Sequence, residues 1–135
     1  MTLVKFYAVV RGSKAAKLLF IALLALLLWG VLRSTPPQQY FDNSDKVLHL
    51  LAFGGVAFVG RLALLMMRGV IYWPLCLAFS VGLELIQGVL WTSRQFSLFD
   101  AASNFAGVIM AAVAYLVVKR IVGFESGKRY SGKRS

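Results

Sequence analysis

Four long apolar runs divide the chain, each bounded by short polar or charged segments. The first is Leu18–Leu32, extendable to Ala15 if Lys17 bends its ammonium back to the headgroups. The second runs from Val47 to about Gly60 and continues past Arg61 to Met67. The third is Val70–Trp91, with Pro74 near its start, and the fourth is about Ala101–Val118. With their polar ends, the runs are long enough to cross a hydrocarbon core of about 30 Å as helices. The expected class is therefore all-α, a polytopic membrane protein with four transmembrane helices.

The short segments between the runs set an orientation. Twelve of the 15 Lys and Arg residues precede the first run, join the second to the third, or follow the fourth. The other two connections hold Arg33, Lys46 and Arg94. Basic residues stay on the cytoplasmic side, so both termini are expected in the cytoplasm of a cell (inner) membrane. Trp29 and Trp91 then fall at the outer ends of their helices, with Tyr72 and Trp73 at an inner end, depths that amphipathic rings favour. The stretch Leu32-Arg33-Ser34-Thr35-Pro36-Pro37 offers no small-x-small cleavage site, so the first run reads as a retained anchor. Residues 1–120 read as one domain, and 121–135 as a basic tail expected to be disordered and to meet anionic lipid.

Composition strengthens this reading. The 135 residues are 59% hydrophobic, with mean hydropathy +0.74, more apolar surface than so small a soluble domain can hide. The net charge of +10 would suit nucleic acid, but the basic residues form no stripe along one amphipathic element, and that partner class is excluded. Cys76 is the one cysteine and His49 the one histidine, which argues against a structural zinc site, and no cofactor is expected. No Walker loop, nucleophile elbow, HExxH or CxxC occurs.

The polar residues inside the runs carry the candidate chemistry. Asp45, Lys46 and His49 open the second helix, with Asp45 and His49 four residues apart on one face. Asp45 also suits a helix cap. Glu84 and Gln87 lie one turn apart in the third helix, and Arg94, Asp100 and Asn104 follow. From helical rise, Glu84 lies roughly 10 Å below the outer boundary, and Gln87 and Asn104 roughly 6 Å. Three helices thus bring polar groups to one shallow layer. Glu84, His49 and Asp100 are the candidate catalytic groups, since a buried Glu and a His in one cavity form a general acid/base pair. Asp45, Lys46, Gln87, Arg94 and Asn104 are the candidate binding groups. Arg94 and Lys46 suit an anionic headgroup or phosphate. The competing reading makes the same residues cross-links that fix helix packing in a non-catalytic assembly module. Gly54, Gly55, Gly82, Gly88, Ala102, Ala106 and Gly107 are expected to allow close helix approach. The inner halves of the helices hold few polar groups apart from Arg61, which argues against an ion path.

In order, Asp45-Lys46-x-x-His49, Glu84-x-x-Gln87, Arg94 and Asp100-x-x-x-Asn104-x-x-Gly107 resemble the pattern of the VanZ-like family of bacterial integral membrane proteins. The resemblance covers roughly residues 41–118. It implies a bacterial envelope protein whose motif residues are those eight side chains, with a link to resistance to the glycopeptide antibiotic teicoplanin.

Overall fold

The protein is described from a computed structural model covering residues 2–35, 38–91 and 96–131, with side chains in the last helix as far as residue 123. Five helices follow one another: α1 (Leu3–Val10), α2 (Lys14–Leu32), α3 (Ser44–Ala63), α4 (Gly69–Leu90) and α5 (Leu98–Ser131). Four stretches are long and apolar enough to cross a membrane: α2, α3, α4 and Leu98–Gly123 of α5. The fold is all-helical, with four candidate spans, as the apolar runs predict.

Packing places α3 and α5 at the centre, and 33% of the α3 span is buried inside the bundle against 17% of the α2 span. The buried face of α3 runs His49, Phe53, Ala57 and Gly60, and that of α5 runs Ala101, Asn104, Val108, Ala111 and Tyr115. Steps of three and four residues give each helix one continuous seam. Gly54 and Gly107 let these seams touch. A Cβ on Gly54 would stand 3.0 Å from the Gly107 carbonyl oxygen, and one on Gly107 would run into the Leu50 carbonyl oxygen. Close backbone approach of this kind supplies packing where lipid removes the hydrophobic drive between helices. Gly88 is similarly filled, by the backbone of Phe96. Gly55 and Gly82 differ from expectation, with nothing within 4 Å of an added Cβ.

The remaining helices dress this pair. α2 lies mainly on α3, and α4 mainly on α5. Leu27 and Val31 of α2 join Phe53, Ala57, Leu83, Val108 and Ala111 in one core. α2 is capped by the Ser13 hydroxyl, which accepts from Ala16 N at 3.0 Å.

Three boundaries depart from the sequence reading. α3 stops at Ala63, with Leu64 N returned to the Gly60 carbonyl, rather than running to Met67. α5 starts three residues before Ala101 and continues as helix to Ser131, through much of the tail expected to be disordered. Extension of an established helix costs little per residue. The third departure is α1, hidden in a segment that reads only as basic. Tyr7 is its buried side chain and donates to the Tyr115 hydroxyl at 3.4 Å, while Gly12, at φ 73°, turns the chain and donates its N–H to the Leu62 carbonyl at 2.8 Å. The bundle thus has a basic end, with α1, the close of α3 and the start of α4, and a polar end containing His49 and Glu84.

Candidate functional site

At the polar end the buried polar side chains are Ser44, His49, Ser80, Glu84, Gln87 and Asn104, from three helices. Asn104, 1% exposed, is the junction of the group. Its Nδ2 donates to the Ser80 carbonyl at 3.4 Å, which turns Oδ1 towards His49 Nδ1 at 2.9 Å. An amide oxygen only accepts, so in this contact His49 Nδ1 carries the hydrogen and Nε2 is left for another partner. The Ser80 hydroxyl is spent within its own helix, on the Leu77 carbonyl at 2.8 Å. One side chain therefore ties α3 to α5 and α5 to α4.

Glu84, 2% exposed, serves a different place. Its Oε1 accepts from Ser97 N at 3.3 Å, and Ser97 Oγ accepts in turn from Asp100 N at 3.2 Å. Ser97 immediately precedes α5, so its hydroxyl caps the helix while the Glu84 carboxylate faces the helix start, where negative charge is favoured. Asp100 sits half-buried in the first turn, and its Oδ1 is covered with no hydrogen-bond partner among the described residues.

Gln87 and Trp91 finish α2 from outside. Gln87 Nε2 donates to the Val31 carbonyl at 2.7 Å, and Trp91 Nε1 to the Leu32 carbonyl at 2.9 Å. Those are two of the carbonyls that a helix end leaves without intrahelical partners, and in hydrocarbon each would be costly.

Asp45 and Lys46 stand apart from this network. They pair with each other, Nζ to Oδ2 at 3.4 Å, at a half-buried position. The Asp45 side chain neither caps α3 nor meets His49: the N-cap is Asn43, at φ 62° and without a side-chain bond, and Asn104 is the hydrogen-bond partner of His49. The four-residue spacing puts Asp45 and His49 on one face, but the Asp45 carboxylate turns to Lys46 and the His49 ring to Asn104 on α5. Arg94 lies outside the described residues.

Beside the network, a cleft of about 280 Å³ runs between α2 and α3. Its walls are Leu23, Leu27, Leu48 and Val56, with His49 on one side and Arg33 among the lining at the α2 end. The Arg33 guanidinium lies over the Trp29 ring at 5.5 Å. Leu26, Trp29 and Leu51 also line the cleft and are 60–64% exposed, so it opens sideways from the bundle. His49 lines this space, whereas Glu84 does not. Of the expected acid/base pair, one member faces the cleft and the other holds the start of α5.

Sequence reasoning did not single out Ser80, Ser97 or the hydrogen bond of Trp91. Two signals were readable: Ser80 stands one turn before Glu84, and Ser97-x-x-Asp100 is a capping pattern. Among the described residues no three His, Cys, Asp or Glu side chains gather as metal ligands. Comparison with family models, curated proteins and solved structures finds no match to this chain.

Proposed function

We propose that this chain is a VanZ-like protein of the bacterial cytoplasmic membrane, with both termini inside and the polar end outward. In this reading it binds an amphiphilic component of the cell envelope in the cleft between α2 and α3. The observation that carries the reading is His49, held by Asn104 through Nδ1 while it also lines an apolar cleft that includes Arg33. An apolar chain would lie against Leu23, Leu27 and Leu51. An anionic group would meet Arg33, and Nε2 of His49 would hydrogen-bond the same ligand. Ligand sites combine apolar walls with few convergent polar groups in this way. Binding is favoured over catalysis, because Glu84 is engaged at the helix start and does not share the cleft.

The test is a membrane-expression series of wild type, His49→Ala, Glu84→Gln and Asp100→Asn, scored for abundance, thermal stability in detergent and susceptibility to envelope-directed antibiotics, teicoplanin first. His49→Ala should lose the wild-type phenotype while abundance and stability hold. Loss of stability in step with phenotype throughout the series would remove the binding reading.

A second reading has its own support. Gln87, Trp91 and Asn104 donate to backbone carbonyls of Val31, Leu32 and Ser80, which is how side chains knit a bundle. On that reading the chain is an assembly module, and its contacts with another membrane protein carry the function. Preserved phenotype in His49→Ala at normal abundance would favour it.

A further inference from the structure

At the basic end, Arg61 has an unusual setting. It lies in the last turn of α3, with its guanidinium 5.7 Å from the Tyr72 ring centroid and 5.2 Å from that of Tyr115. Its Nη1 donates to the Leu64 carbonyl at 3.3 Å, and its Nε is covered without a hydrogen-bond partner among the described residues. A guanidinium offers five donors, so most of this one's capacity is unspent. Arg11 comes to the same place from α1, 5.8 Å over the Tyr7 ring, and Tyr7 bonds Tyr115. Two guanidinium groups thus flank one pair of phenols.

No carboxylate answers them among the described side chains at this end. Asp42, Asp45, Glu84 and Asp100 all belong to the polar end, and Glu125 is ten residues past Tyr115. That separation is roughly 15 Å along α5. Lys14, Lys17 and Arg68 add further positive charge nearby in the chain.

A second cleft of about 320 Å³ begins at this cluster. Leu64 and Tyr72, which touch Arg61, also line it, with Phe20 and Leu24 of α2 and Phe79 of α4. Leu75 and Phe79, 53% and 41% exposed, open it towards the surroundings of the bundle. Two arginines around one phenol pair, with an apolar slot beginning at the Tyr72 ring under Arg61, match a phosphate with a hydrocarbon chain attached.

We infer that Arg61 and Arg11 bind the headgroup phosphate of an anionic phospholipid in the leaflet at the basic end, with one acyl chain in the cleft between α2 and α4. Arg61 and Arg11 do not line the His49 cleft, although Leu27 and Val56 border both clefts. α1 belongs to the site because Tyr7 and Gly12 hold Arg11 over α3 and α5.

The test uses the full chain purified in mild detergent, with native mass spectrometry and thermal unfolding as readouts. The probes are phosphatidylglycerol, phosphatidylcholine with the same acyl chains, and inorganic phosphate. Each arginine near the phosphate should be worth about fivefold in preference for the anionic lipid. Wild type should therefore retain phosphatidylglycerol well above phosphatidylcholine, and Arg61→Gln and Arg11→Gln should each cut that preference about fivefold. Arg11 is exposed, so its variant carries the test if Arg61→Gln does not fold. Equal retention of the two lipids by wild type, or an unchanged preference in Arg11→Gln, would overturn the inference. Inorganic phosphate protecting the fold as well as phosphatidylglycerol would overturn the lipid assignment and leave a free-anion site.

Discussion

His49 and Asn104 meet across the α3–α5 seam one turn from the Gly54–Gly107 contact, and the two relationships depend on each other. Gly107 follows Asn104 by three residues, and Gly54 follows His49 by five. The Nδ1 to Oδ1 distance of 2.9 Å requires the backbone approach that only glycine permits at 107.

Gly107→Ala should therefore act beyond its own size. The added Cβ strikes the Leu50 backbone, which cannot swing aside, so the helices must part. Overpacking of this kind costs about 1–3 kcal/mol. Gly55→Ala and Gly82→Ala, in open space, should be neutral or slightly stabilising in the same detergent unfolding assay.

Removal of the amide at Asn104 tests the junction itself. Asn104→Ala loses the bonds to His49 and to the Ser80 carbonyl, and interhelical hydrogen bonds in membranes contribute about 0.6–2 kcal/mol each. Reversible unfolding in mixed micelles should show destabilisation of about 1–4 kcal/mol for the two bonds together. Asn104→Ala that is as stable as wild type would mean the network is not a structural tie.

Gln87→Leu should fray the end of α2 without unfolding the bundle. The Val31 carbonyl loses its 2.7 Å donor, while Trp91 still holds Leu32. Hydrogen exchange should rise at the last turn of α2 and stay unchanged in α3. A double variant with Trp91→Phe should exceed either single change, since the two bonds share one helix end.

Docking of α1 should respond to alkali. Burial, with the Tyr115 hydroxyl second, pushes the Tyr7 phenol from 10.0 up to about 12. A raised folded-state value means a stabilising contribution that is whole below about pH 10 and lost as pH rises through about 12. Protease cleavage near Gly12 should accelerate across that window, and Tyr7→Phe should abolish the dependence. An identical pH profile in Tyr7→Phe would place the transition elsewhere.

The spans were legible because a bilayer demands long apolar runs, and a small soluble core has no room for four of them. α1 was not, because eight residues are too few to span a bilayer or to stand as a helix alone, and its anchor, Tyr115, is 108 residues away. The shallow layer of polar residues could be read from helical rise, but not its wiring. Gln87 bonds the backbone of Val31, and every residue offers a carbonyl, so no side chain in the sequence marks the acceptor. Gly54 and Gly55 are alike in sequence and differ only in which one faces α5. The cleft beside His49 depends on where α2 rests, which no motif encodes.

The most direct measurement compares wild type with His49→Gln and Leu51→Trp for teicoplanin susceptibility, abundance and thermal stability together. Leu51 is 63% exposed and lines the cleft, so tryptophan there fills it without entering the core. A wild-type change in susceptibility that both variants lose, at unchanged abundance and stability, is the expected result. Full wild-type behaviour in both variants, or a wild type without effect on any envelope-directed antibiotic, would contradict an envelope ligand in the His49 cleft.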